Sequence, residues 1–249
     1  MRRLHSALAI AIAMAVSPAA VQAALYSDNF DTYVAGSNIQ GQGDFIYWDN
    51  SEDLNSHGLV SDAFAFSGSN SLMLGGHGGA HYTDPVWQFA DANTGVSPVS
   101  SGQWTQSAMV YIPGDSNTNY VDFNYMSSHP APLTWSGNPR FQMANDVVTG
   151  PNGGSMPMAG LRDRWFEVVL ELDLDAGQGE IFVDGDLLST YDWNAANGNE
   201  FDGIDYWAPA DSSALYIDDI SLTAVPEPSA MVLSVLACMG LMLRRKRSA

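Results

Sequence analysis

The sequence predicts an all-β domain built as two antiparallel sheets. Clusters of Gly, Asn, Asp, Ser and Pro punctuate the chain about every 8 to 15 residues. Short runs rich in Val, Ile, Tyr, Phe and Trp lie between them, which is the composition of strands separated by turns. One run, 165–174, alternates almost strictly between apolar and polar. No amphipathic helical pattern of any length and no internal repeat occurs.

Each element has its own justification. In 103–112, Trp104, Ala108, Val110 and Ile112 share a face, and Pro113-Gly114 ends the run. In 120–126, Val121, Phe123 and Tyr125 alternate against Tyr120, Asp122 and Asn124. In 165–174, Phe166, Val168, Leu170, Leu172 and Leu174 oppose Trp165, Glu167, Val169, Glu171 and Asp173, so one face is core. Residues 179–183 and 187–191 flank Asp184-Gly185, a two-residue hairpin signal. Residues 215–222 form the last strand. Antiparallel strands packed face to face fit this pattern.

Both ends read as addresses. Arg2 and Arg3 precede an apolar run, 7–16, and Val21-Gln22-Ala23 places small residues where a signal peptidase cuts, after Ala23. The far end reads Pro226-Glu227-Pro228, then an apolar run over 230–243, then Arg244, Arg245, Lys246 and Arg247. That run is shorter than the roughly 20 residues of a comfortable span. The basic cluster sits where cytoplasmic charge sits, leaving the body on the other side. Motif, short apolar segment and basic tail in that order resemble the PEP-CTERM sorting signal of Gram-negative bacteria. The resemblance implies an exosortase-type processing enzyme as partner, transient anchoring in the inner membrane by the C-terminal segment, and release or attachment at the cell surface. The expected division is signal peptide 1–23, β-sandwich 24–224 and sorting segment 225–249.

Without its ends, the body keeps three basic residues, Arg140, Arg162 and Arg164, and no lysine. Against 27 remaining acids this leaves a net charge of −24. Such a surface repels nucleic acid and anionic lipid. The single cysteine, Cys238, lies in the C-terminal apolar run, so the body relies on its core, a bound metal, or both. There is no CxxC, HExxH or Cys/His zinc pattern.

The segments "DNFDTYVAGSNIQGQG" (28–43), "SGSNSLML" (67–74), "RWFEVVLELDLDA" (164–176) and "YIDDISL" (216–222) resemble the concanavalin A-like jelly roll of laminin-G, lectin and glucanase domains. The resemblance implies a jelly-roll β-sandwich and is closest to non-catalytic versions on secreted bacterial proteins. Glycosidases of this fold place acids on one strand. Here Glu171, Asp173 and Asp175 form a comparable but incomplete set, with Asp in place of the final Glu. A solvated polar face at the strand's end accounts for it better than catalysis does.

Asp218 and Asp219 are adjacent in the last strand, so one must face inward unless a bulge intervenes. A buried carboxylate needs a partner: an arginine, backbone N–H groups, or a cation. The resemblance implies a structural Ca²⁺ between first and last strands, with Asp28 and Asp31 as the matching N-terminal residues. Trp48, Trp87 and Trp135 lie in or beside loops and are the expected sugar-stacking group. His77 and His81 lie in a glycine-rich loop. The expected function is a secreted or surface-associated, non-catalytic sandwich that binds extracellular polysaccharide or builds the matrix. The alternatives are a glycan-cleaving enzyme, either hydrolase or lyase, and a purely structural surface protein.

Overall fold

The computed structural model describes residues 25–48, 53, 55–89, 99–129, 134–193 and 200–226. The expected signal peptide, Glu227, Pro228 and the apolar run 230–243 lie outside the described residues. No helix among those described is long and apolar enough to cross a membrane.

Five short strands open the domain: β1 (Tyr26–Asp28), β2 (Phe45–Tyr47), β3 (Leu59–Ser61), β4 (Ser71–Leu74) and β5 (Pro85–Gln88). Two long ones follow, β6 (Gln103–Tyr111) and β7 (Tyr120–Ser128), and then four short ones, β8 (Thr134–Gly137), β9 (Arg140–Gln142), β10 (Val147–Thr149) and β11 (Ser155–Pro157). The last five are β12 (Trp165–Asp173), β13 (Gln178–Val183), β14 (Asp186–Asp192), β15 (Gly203–Trp207) and β16 (Leu215–Val225). The first sheet runs β14-β13-β12-β6-β16-β4-β3, with β1 also on β16. The second runs β11-β10-β9-β7-β15-β5-β2, with β8 also on β7. Every ladder between these strands is antiparallel.

The period-two pattern decides which side chains meet. On β12, Phe166, Val168, Leu170 and Leu172 are buried while Glu167 and Glu171 are exposed. On β7, Val121, Phe123 and Tyr125 point the same way into the core from the opposing sheet. Phe141 of β9 and Phe166 of β12 meet across the gap, ring centroids 6.2 Å apart. The β13–β14 hairpin turns at Asp184 (φ 55°) and Gly185 (φ 82°), the two positive φ values that a type I′ turn requires.

β16 changes face in mid-strand. Its register against β6 slips between Asp218 and Ser221, and Asp219 has φ 44°. The bulge lets Ile217 and Ile220, three residues apart, both reach the core.

Candidate functional site

The acids of β12 lie on the outer face of the first sheet. Glu171 is exposed and stands opposite Glu180 of β13, beside a cleft of about 400 Å³ that Trp104, Asp173 and Thr190 also line. Asp173 accepts the Ala176 N–H at 2.8 Å and the Gln103 amide at 2.9 Å, and these bonds hold its carboxyl below the usual range. Asp175 does not share the face: β12 ends at Asp173, and Asp175 accepts the Gly102 N–H at 3.0 Å in the following turn. Two of the three expected carboxylates therefore organise main chain.

The four aspartates suggested as metal ligands divide around the 66–70 loop. Asp31 accepts the N–H groups of Ser69 and Asn70, at 2.7 and 3.0 Å. Gly68 (φ 58°) lies so close that a Cβ there would overlap the Asp31 carboxylate. Asp218 grips the other side of the loop. It is fully buried, with Oδ2 accepting the Phe66 and Ser67 N–H groups and Oδ1 accepting the Asp219 N–H. Burial still outweighs these three bonds and lifts its carboxyl above the ordinary range. The bulge brings Asp219 to the same loop, where it accepts the Ser67 hydroxyl at 2.6 Å. Asp28 accepts the Phe30 N–H and the Tyr33 hydroxyl, and lines one cleft with Asp219 and Asp44. Asp31, Asp219 and the Ser67 hydroxyl offer hard oxygens, the donor chemistry Ca²⁺ takes. Among the described residues no three His, Cys, Asp or Glu side chains converge on a metal position. Main-chain carbonyls and water would have to complete the shell.

Of the three tryptophans, two come together and one does not. Trp48 and Trp135 stack in parallel, centroids 5.2 Å apart and planes 8° apart, and Trp135 is 47 % exposed. His129 packs on the buried side of Trp48, at 5.1 Å. Trp87, by contrast, belongs to the core. It is 1 % exposed, stacked on Phe45 and edge-on to Phe89, because β5 turns it toward the opposite sheet.

The Trp48–Trp135 stack flanks a pocket of about 410 Å³ lined by Asn124, Trp135, Ser136, Gly137, Asn138 and Pro151. The floor is the outer face of the second sheet. There register sets Asp205 between Val86 and Asn124, and Asp122 between Trp207 and Arg140. Asp205 is 2 % exposed, and its Oδ2 accepts the Asn124 amide at 2.9 Å. Its Oδ1 meets no N–H or O–H donor of the protein. The group that faces it is the Asp84 carboxyl, and burial together with that neighbouring charge pushes Asp205 well above the carboxylate range. Two carboxyls so placed resist ionising together. Asp122 is paired instead: Arg140 donates Nε and Nη2 to its two oxygens, both at 2.7 Å, in the two-armed geometry of guanidinium and carboxylate. The guanidinium also covers the Tyr120 ring at 4.1 Å.

Sequence reasoning missed Asp84, Asp205 and the Asp122–Arg140 pair. One signal was present. Asp122 and Asn124 alternate with apolar residues in a strand that lies in the middle of its sheet. His57, His77 and His81 also gather at one edge, with the His57 and His81 rings stacked at 3.9 Å.

No family model and no curated protein matches the chain. Solved structures do. A sialidase superposes with TM-score 0.53 at 11 % identity, covering 82 % of this chain and 19 % of its own, so this chain spans about a fifth of that protein. A cellulose-induced protein, Cip1, superposes with TM-score 0.52 at 16 % identity, covering 80 % of this chain and 97 % of its own. An endo-β-1,4-glucuronan lyase from the fungus Trichoderma reesei follows at TM-score 0.48 and 10 % identity, covering 82 % of this chain and 96 % of its own. With two eight-stranded antiparallel sheets face to face, the chain has the jelly-roll β-sandwich fold.

Proposed function

We propose that this protein is an exported, surface-sorted jelly-roll domain that binds extracellular glycan on the outer face of its second sheet. The observation that carries the reading is the parallel Trp48–Trp135 stack. An aromatic face that is half exposed, rigidly backed by a second indole and set beside amide and hydroxyl groups is suited to a sugar ring. A fold shared with a sialidase and a cellulose-induced protein accords with a glycan ligand. The acids of the first sheet do not favour cleavage as the role, because Asp173 and Asp175 serve main-chain N–H groups.

The reading is tested by affinity electrophoresis of the full chain through gels containing soluble polysaccharides. Retardation by at least one polysaccharide should be abolished by Trp135→Ala and unchanged by Glu171→Gln. Retardation that survives Trp135→Ala in every gel would overturn the assignment of the site.

Sorting belongs to the same proposal. Pro226 emerges exposed directly after β16, and Glu227 and Pro228 follow it in sequence. Mass spectrometry of the exported form should find a C-terminus close to these residues. An exported form that retains Arg244, Arg245, Lys246 and Arg247 would sink the sorting route.

A further inference from the structure

We infer that the Trp135 pocket selects glycans that are uncharged or amine-bearing and rejects those carrying carboxylate or sulfate groups, an inference that rests on the glycan-binding reading. Two independent features lead there.

The first is that the body has no cation to offer an anion. Between residues 24 and 225 the only basic side chains that stay charged at all pH values are Arg140, Arg162 and Arg164. Each is held by a carboxylate: Arg140 by Asp122, Arg162 by Asp146 at 3.0 Å, and Arg164 by Asp184. The segments 49–52, 90–98, 130–133 and 194–199 contain no Lys, Arg or His. The imidazole nearest the stack, His129, is pushed below its ordinary range by burial and accepts no positive role at neutral pH. A uronate or sialate entering the pocket would find none of the Arg or Lys forks that recognise carboxylates, in a body of net charge −24.

The second feature is the orientation of the two amides. Asn124 donates Nδ2 to Asp205, its cross-strand partner on the same face. Asn138 is hydrogen-bonded to Asp122. The Asp122 carboxylate, already gripped by Arg140, can only accept, and Asp205 Oδ2 accepts likewise. Each amide therefore spends one N–H on a carboxylate of the sheet, which leaves its carbonyl oxygen and its second N–H for a ligand. Neutral amides suit ligand hydroxyls, which both donate and accept, and their carbonyls suit ammonium groups, which donate. A carboxylate meets no countercharge there, because every arginine of the body is already paired. The buried aspartates thus act as positioning residues for the ligand-facing amides.

The test is a tryptophan-fluorescence titration of the full chain and its Trp135→Ala variant with three soluble oligosaccharide ladders at matched ionic strength. The ladders are neutral glucans, oligouronates of the same linkage, and deacetylated glucosamine oligomers. The difference between the two proteins isolates the pocket. That difference signal should saturate with the neutral or the amine-bearing ladder at concentrations at least about tenfold lower than with the uronates, one decade being 1.4 kcal/mol. Added NaCl should narrow the gap by screening the repulsion. Asp122→Asn frees the Arg140 charge with little change of shape, and should raise uronate affinity severalfold. A Trp135-dependent response to uronates as strong as that to neutral sugars would overturn the selectivity while leaving the glycan site intact. Absence of any Trp135-dependent response to all three ladders would instead remove the glycan reading, and the selectivity with it.

Discussion

On the outer face of the first sheet, exposed Glu171 faces half-buried Glu180, which accepts the Thr190 hydroxyl, and Asp173 lies low in its titration because an N–H and an amide donate to it. On the outer face of the second sheet, Asp205 and Asp122 are covered. Burial and the Asp84 charge push one toward its protonated form, and the other is paired with an arginine. The same residue type on the same kind of surface thus meets two opposite regimes. Exposed carboxylates are solvated and interchangeable, so they carry little energy. Buried ones must be answered group by group, so they fix the geometry around them. A row of acids in sequence is a weaker guide to a site than single acids scattered over three strands and buried together.

The largest effect should come from breaking an answered charge. Arg140→Met leaves Asp122 buried without its partner and should cost about 3–5 kcal/mol. Urea unfolding would read it, and a loss below about 1 kcal/mol would mean Asp122 is solvated after all. A core truncation gives the scale: Leu170→Ala, fully buried on β12, should cost about 2–5 kcal/mol.

Proton linkage comes next. Asp205 lies well above its unfolded value, and Asp202, covered and next to Glu200, is raised to about 6. Both bind protons more tightly in the folded chain. Stability should therefore fall as pH rises from the unfolded value, about 3.9, through the folded values, and level off above them. Asp173 works in the opposite sense: its contribution is present above the unfolded value and lost as pH falls through its lower folded one. Thermal melts should give a higher Tm at pH 5 than at pH 8, and Asp205→Asn should flatten that slope. An unchanged slope in Asp205→Asn would show that no proton is shared with Asp84.

The clasped loop offers a smaller effect. If Ca²⁺ ties Asp219 to Asp28 or Asp31, Tm should rise with Ca²⁺ beyond what matched Na⁺ produces, and Asp219→Asn should lose the excess. Equal Tm values in both salts would leave hydrogen bonds as the only clasp. Smallest of all, Glu171→Gln should change stability by less than about 0.5 kcal/mol.

Much of the fold is legible from period alone. The expected run 165–174 is β12 to within one residue, and 103–112, 120–126 and 215–222 coincide with β6, β7 and β16 apart from their ends. Strands of three residues, such as β2 and β9, are too short to carry a period and are visible only through their partners. Alternation also says which residues share a face, and not whether that face is covered. Glu171 and Asp122 have the same alternating context in sequence, and only tertiary packing makes one wet and the other dry. Trp87 was misplaced for a related reason. The turn-forming Asp84-Pro85 before it resembles a loop, yet those residues already run into β5.

β16 lies inside the first sheet, bonded along its length to β6 on one side and to β1 and β4 on the other. It is also the strand from which the chain continues to Pro226, Glu227 and Pro228. A pull on that end acts parallel to the strand, so its cross-strand bonds resist together in shear rather than opening one at a time as in a peeled hairpin. The bulge at Asp219, locked against Ser67, is a further catch along that line. A domain held at a cell surface by this end would carry mechanical load along a strand bonded on both sides.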